Sequence, residues 1–235
     1  MFNSNTTTDD YMFLIVTHEC NRKCAFCVDK DRGKKQYISI KNVQKAINYA
    51  LKNNLKTITI LGGEPTLHPK IIDICKLIKS YNFKIVMTTN YDKPELIATL
   101  DKYHLVNSFN ISHYNQKELP KQKDFYADLT LSKLLFKGGI DTKEKLDKFI
   151  NENKYRYNDI KFSTLTDIND FTHKNKNLPF LNELPINKKV TIMGEIEGHY
   201  YRNYLIKRFD IPATKNTYCK RSMKMHTNGE LKREW

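Results

Sequence analysis

Along the 235-residue chain the spacing of apolar positions switches repeatedly between strand-like and helix-like periods. The run "YMFLIV" at 11–16 reads as a strand. After a cysteine-bearing loop comes "SIKNVQKAINYALKNN", in which Ile40, Val43, Ala46, Ile47 and Ala50 recur at helical spacing behind Ser39, a candidate N-cap. The same unit then repeats. A strand at 57–61 and a glycine turn lead into a helix from about Pro69, with Ile71, Ile72, Ile74, Cys75 and Ile78 on its buried side. A strand at 83–88 precedes a helix in "KPELIATLDKY", and a fourth strand follows at about 106–112. A fifth lies within "ADLTLSKLLFKGG", ahead of the helix "DTKEKLDKFINEN", and a sixth covers about 159–165.

Strands alternating with helices predict an α/β fold with a mainly parallel sheet and right-handed crossovers. Six units suit a partial (β/α)6 TIM-like barrel over 1–166, whose ligand site lies at the carboxyl ends of the strands. Residues 167–235 are expected to form a short C-terminal β extension packed on that core. Within it "DINDFTHKNKNLPFLNELPINKK" reads as an irregular connection and "VTIMGEIEG" as a strand. "KMHTNGELK" reads as a two-residue hairpin with a type I′ turn at Asn228-Gly229.

Composition narrows the class. An apolar content of 40% supports one sizeable core. No run of eighteen apolar residues occurs, and "MFNSNTTTDDYMFLIV" lacks the basic and apolar regions of a secretory signal, so a cytoplasmic protein without a membrane partner is expected. Five cysteines, Cys75 and Cys219 standing alone, favour metal or cluster ligation over disulfides in a reducing compartment. The formal charge of +14 favours an anionic partner, and the stretch from His199 onward holds nine Lys/Arg against three Asp/Glu. A solvated Lys- and Asn-rich surface accounts for the same charge without a partner.

Candidate chemistry begins in "VTHECNRKCAFCVDK", where Cys20, Cys24 and Cys27 are spaced x3 and x2. A closed structural site of zinc or of an iron–sulfur cluster uses four protein ligands, and the local cysteine count is three. Three arrangements remain open: zinc with His18 as a fourth ligand, a disulfide plus a free thiol, or a [4Fe–4S] cluster with one iron left for a small molecule.

"CNRKCAFC" resembles the CxxxCxxC signature of the radical S-adenosylmethionine (radical SAM) superfamily, with Phe26 before the last cysteine. "LGGEPTLHP" resembles its GGE motif after the second strand, "TTN" at 88–90 the end of its third, and "NISHY" at 110–114 its fourth-strand serine region. "KLLFKGGIDTKEKLDKFI" with "IKFSTLTD" is similar to the branch of the GTP-cyclising molybdopterin-synthesis enzymes, over about residues 11–166. That resemblance implies a [4Fe–4S] cluster on Cys20, Cys24 and Cys27, with S-adenosylmethionine bound by Phe26, Gly62, Gly63, Glu64, Asn90 and Ser112. It assigns Glu64 to the cofactor ammonium, the two glycines to close approach of the methionine moiety, Phe26 to the adenine, and Asn90 and Ser112 to the carboxylate and ribose.

It further implies reductive cleavage to a 5′-deoxyadenosyl radical that takes a hydrogen atom from substrate, with flavodoxin or ferredoxin as a one-electron donor. The substrate expected from the charge is an anionic small molecule, nucleotide or nucleic acid. The alternatives are a peptide or protein, including a glycyl-radical partner, and a metal-bearing nucleic-acid-binding module without catalysis. His68, His113, Lys133 and Lys137 are further polar candidates. Cys219 has no cysteine after it to build an auxiliary cluster, and is a candidate thiol at the substrate.

Overall fold

The computed structural model of the chain describes residues 11–114, 116, 119–192, 196–208 and 223–232. Its backbone forms one sheet of eleven strands. Strands β1 (Tyr11–Ile15), β2 (Thr57–Leu61), β3 (Lys84–Thr89), β4 (Ser108–Ser112), β5 (Asp128–Leu135) and β6 (Asp159–Thr164) lie side by side in sequence order, each parallel to the next. Helices α1 (Ile40–Lys52), α2 (Ile71–Ser80), α3 (Pro94–Lys102) and α4 (Lys143–Asn153) occupy the crossovers β1–β2, β2–β3, β3–β4 and β5–β6, whereas β4 and β5 are joined without an α-helix. This is the α/β partial-barrel architecture expected from the alternation of periods.

Local chemistry sets the element ends. Ser39 caps α1 by accepting from the Asn42 amide at 3.2 Å, and Thr142 caps α4 through the Lys145 amide at 3.3 Å. Pro94 opens α3, where a missing N–H costs nothing. The first three helices are each followed by a left-handed residue, Asn54, Asn82 or His104, which reverses the chain toward the next strand. Helix α2 starts at Ile71 rather than near Pro69 because a 3₁₀ turn at Pro65–Leu67 intervenes.

The two sheet faces differ. Rows such as Leu14–Ile60–Met87–Phe109–Leu129 and Ile111–Leu131–Ile160 run across paired strands and are fully or almost fully buried on one face, forming the core with α1, α2 and α4. The opposite face carries Thr88–Asn110–Thr130–Asp159 and Ser112–Ser132–Lys161 in equivalent rows.

The C-terminal third departs from expectation in three places. The connection read as irregular contains two short helices, α5 (Asp170–Asn175) and α6 (Phe180–Glu183), the first closed by a capping box between Asn169 and Thr172. The stretch read as one strand is divided between β7 (Lys188–Ile192) and β8 (Ile196–Tyr201). Strand β8 returns through Arg202-Asn203 into β9 (Tyr204–Arg208), which pairs in parallel with β6. Both Arg202 and Asn203 have positive φ, so the type I′ turn sits there. The hairpin joining β10 (Met223–Met225) to β11 (Leu231–Lys232) instead closes through three residues, with the Gly229 amide bonded to the His226 carbonyl and only Gly229 left-handed. Strand β10 pairs in parallel with β1, so segments from beyond residue 166 border both sides of the six-stranded core. No helix among the described residues is long and apolar enough to cross a membrane.

Candidate active site

The cysteine loop leaves the carboxyl end of β1, and its root is clamped by the turn that leaves β2. The Gly63 amide donates to the Thr17 carbonyl at 2.7 Å and the Glu64 amide to the Glu19 carbonyl at 2.8 Å. A Cβ on Gly62 would stand 2.3 Å from the Thr17 carbonyl oxygen, and one on Gly63 the same distance from that of Glu19. Gly62 also has φ +154°, which L side chains rarely adopt. The glycines are thus required by the approach of residues 17–19. The close contact expected with a bound methionine moiety is, on this face, a contact with the chain itself.

Glu64 also makes contacts within the chain. Only 1% exposed, its carboxylate accepts through Oε1 from the Thr66 amide (3.1 Å), the Thr66 hydroxyl (2.7 Å) and the Thr89 hydroxyl (2.8 Å), and through Oε2 from the Asn90 amide (2.7 Å). Burial pushes its pKa up, against those donors. The carboxylate expected to suit an ammonium also ties the β2 turn to the end of β3.

From Glu64 the network continues into the cysteine loop. Asn90 donates to Asn21 Oδ1 at 2.8 Å, and Asn21 donates to Asp92 at 3.1 Å. Arg22 grips both oxygens of Asp92, through Nε at 2.6 Å and through Nη2, while its Nη1 donates to the Tyr114 carbonyl beyond β4. Gln116 bridges the Asn90 and Ser112 carbonyls at 2.8 and 2.5 Å. On the other flank, His18 Nδ1 faces both Asp29 oxygens at 3.1 and 2.9 Å, and the Gly33 amide bonds the His18 carbonyl at 2.7 Å, closing the loop. Of the two imidazole nitrogens in the zinc alternative, Nδ1 is thus turned toward Asp29.

Cys20, Cys24 and Cys27 are free and half-buried. Burial pushes the Cys20 and Cys24 thiols up, with Glu64 and Cys27 raising Cys20 further and Cys27 and Cys20 raising Cys24. Three thiols that sense one another in one loop form a donor set suited to a polynuclear metal centre, in which they ligate separate irons. Among the described residues no three His, Cys, Asp or Glu side chains converge closely enough to hold one ion. Phe26 packs edge-on to Tyr114 with centroids 5.2 Å apart, and beside Phe136 at 6.2 Å, which in turn meets Phe171 of α5 at 6.0 Å. Asn169, the α5 cap, donates to the Ala25 carbonyl at 2.9 Å, so the loop after β6 also rests on the cysteine loop.

Ser112 ends β4 on the polar face, beside Ser132 and Lys161. Ser163 and Lys207 pair on the same face one step further along. Burial, and then the charge of Lys161, hold the Lys207 amine below its ordinary pKa. Asn110, Ser132, Lys161 and Lys207 are not among the candidates that residue type and motif pick out. For Asn110 and Lys161 the signal is the period-two polar alternation in "SFNIS" and "DIKFST", since parallel strands covered on both faces read as continuous apolar runs.

The other polar candidates lie apart. Both ring nitrogens of His68 are used, Nε2 on the Ile38 carbonyl and Nδ1 by the Lys70 amide. His113 and Lys133 meet at 2.9 Å on the helix-covered face, against Phe149 of α4. The Lys137 amide bonds the Asn175 carbonyl at the end of α5. Cys75 is buried in α2 with its thiol pushed up to about 12. Cys219 lies outside the described residues.

A three-thiol loop stands at the carboxyl end of the first strand of an open, mainly parallel sheet of the partial-barrel type. Residues 14–114 match the family model of the radical SAM superfamily. It is 23% identical over 145 residues to the "Probable GTP 3',8-cyclase" of Pyrococcus horikoshii, covering 54% of this chain and 47% of that protein. It is 33% identical over 76 residues to a candidate glycyl-radical enzyme activating enzyme of Methanocaldococcus jannaschii, covering 32% and 30%. Among solved structures, Streptococcus suis SuiB bound to precursor peptide SuiA shares the fold with a TM-score of 0.54 at 18% identity, covering 71% of this chain and 42% of that one. The matches span half or less of the length of these curated relatives. The family implies a [4Fe–4S] cluster and S-adenosylmethionine, and the thiol set fits the cluster.

Proposed function

We propose that the chain is a radical SAM enzyme acting on an anionic small molecule, nucleotide or nucleic acid. The observation that carries this is the set of three free thiols in the loop after β1, in a sheet whose polar face bears Lys161 and Lys207. When bound, the cluster and S-adenosylmethionine supply an electron and a 5′-deoxyadenosyl group able to abstract hydrogen. The polypeptide's part is positional. Cys20, Cys24 and Cys27 hold the cluster; Phe26 offers an aromatic edge, and Asn90 and Ser112 polar groups, at the strand ends. Gly62, Gly63 and Glu64 act through the backbone of the β2 turn, which they hold against the cysteine loop. Lys161 and Lys207 offer amines on this face for an anionic group, Lys161 within 3.5 Å of Asp159 and Lys207 with its charged form disfavoured by burial until an anion accompanies it.

Anaerobic reconstitution tests this. Iron and sulfide are expected near about four each per chain, with formation of 5′-deoxyadenosine under dithionite. Zinc in oxygen-free material, or a cluster whose four irons all carry side-chain ligands, would overturn it. Polyanionic substrate affinity is expected to fall steeply with salt, and salt-independent turnover argues against an anionic substrate.

Peptide or protein modification is supported by a different observation, the likeness to a peptide-bound enzyme and to a glycyl-radical activating enzyme. A glycyl radical detected in a co-expressed partner decides for it.

A further inference from the structure

Midway between Cys20 and Cys24 stands Arg22, whose side chain is 16% exposed against 27% for its partner Asp92. Nε donates to one Asp92 oxygen at 2.6 Å and Nη2 to the other, while Nη1 turns to the Tyr114 carbonyl. The backbone N–H of the same residue meets the Cys20 sulfur at 3.4 Å. Both acceptors are fixed in turn. The Asp92 amide donates to Asn90 Oδ1 at 3.0 Å, and its carboxylate also accepts from Asn21 at 3.1 Å. The Tyr114 amide donates to Gln116 Oε1 at 2.6 Å, and its ring meets Phe26 edge-on at 5.2 Å. The ends of β3 and β4 therefore both anchor residue 22. A solvent-exposed ion pair holds little, because two long side chains must be ordered in water. The Arg22 pair is planar, bidentate, mostly withdrawn from solvent and supplied with a third acceptor, so it specifies one orientation of the guanidinium. That orientation fixes the backbone between two thiols.

Resting on the radical SAM reading for the group that the thiols hold, we infer that Arg22 is a positioning residue: its fork on Asp92 and the Tyr114 carbonyl sets the backbone between Cys20 and Cys24, so that the Arg22 N–H is aimed at the Cys20 sulfur. It acts through Cys20 rather than on the reacting atoms. One effect is on how tightly the centre is held, since groups that orient metal ligands are worth about 10–100-fold in affinity. The other is on the reduction potential, because an N–H directed at a ligand sulfur favours the more negative, reduced state.

Variants of the reconstituted full chain test this: Arg22→Gln, Arg22→Lys, Asp92→Asn and, as a control, Lys145→Gln, which breaks the ion pair to Asp141 at the start of α4. Iron release to a ferrous chelator is timed without oxygen. Arg22→Gln and Asp92→Asn are expected to release iron at least about tenfold faster than wild type, with the control within about twofold. The double variant Arg22→Gln/Asp92→Asn should stay within about twofold of the faster single one, because both changes remove the same pair. Arg22→Lys keeps the charge and loses the planar fork, so it should behave as Arg22→Gln. The midpoint potential, followed by electron paramagnetic resonance, separates position from charge. Asp92→Asn removes a negative charge and through the field alone would raise the potential, yet loss of the aimed N–H is expected to lower it in Asp92→Asn as in Arg22→Gln. Wild-type release by Arg22→Gln or Arg22→Lys, equal acceleration in the control, or a raised potential in Asp92→Asn overturns the inference. An Arg22→Gln chain with wild-type circular dichroism that takes up no iron is the limit of the expected result; should it not fold, Arg22→Lys and Asp92→Asn carry the test. A wild type that loads zinc, or forms no 5′-deoxyadenosine, is the failure of the radical SAM reading, and release of whichever metal the thiols hold still tests Arg22.

Discussion

Gly63→Ala probes the contact on which the site's assembly rests. The added methyl carbon would stand 2.3 Å from the Glu19 carbonyl oxygen and 2.7 Å from both the Glu19 carbonyl carbon and the His18 carbonyl oxygen, where ordinary contact begins at 3.4 Å. All three atoms are backbone, so no side chain can swing aside, and the two segments must separate by roughly 1 Å. That displacement breaks or stretches the Gly63–Thr17 and Glu64–Glu19 hydrogen bonds. Overpacking costs about 1–3 kcal/mol and each of the two lost bonds about 0.5–1.5 kcal/mol, giving roughly 2–6 kcal/mol, a large share of a domain's stability. Anaerobic urea unfolding of the reconstituted protein measures it, with iron retention read in parallel, since the strain falls on the root of the cysteine loop. Gly138→Ala is the comparison. Gly138 has φ +85° with no atom within 4 Å of an added methyl, so only left-handed strain of about 1 kcal/mol is expected there. A Gly63→Ala protein within about 0.5 kcal/mol of wild type, with full iron, would refute the clamp.

Other substitutions test the neighbouring links. Cys24→Ser is expected to abolish stable cluster incorporation, read as loss of iron and of the visible absorption of the reconstituted protein. Glu64→Gln sets an amide N–H₂ against one of the four donors facing that side chain; a loss of roughly 1–3 kcal/mol in urea unfolding is expected, and no loss would mean the network carries little. His113 is pushed down from 6.5 to about 4, by burial first and by the facing Lys133 ammonium second. Its imidazole is thus protonated in the unfolded chain before the folded one as pH falls. The stabilising contribution is present above 6.5 and is lost progressively as pH drops toward about 4, a slope that His113→Gln should flatten in a pH series of thermal melts.

Much of this architecture was legible because it depends on short-range patterns. The six strands and four crossover helices follow from apolar spacing, and the Ser39 cap from residue type and position. The C-terminal part was harder to read. Arg202-Asn203 makes the type I′ turn although neither position is glycine, and nothing local announces that β9 pairs with β6 while β10 pairs with β1.

By itself the sequence determined which residue types stand at the strand ends: three cysteines, two glycines and a glutamate, whose spacing along the chain is covalent and cannot change. Only the tertiary structure decided what they face. Gly62 and Gly63 are filled against residues 17–19, Glu64 is consumed by Thr66, Thr89 and Asn90, and Arg22 reaches across 70 residues of sequence to Asp92. The physical reason is that parallel pairing brings successive strand ends together, so each loop completes its hydrogen bonds with residues from another crossover.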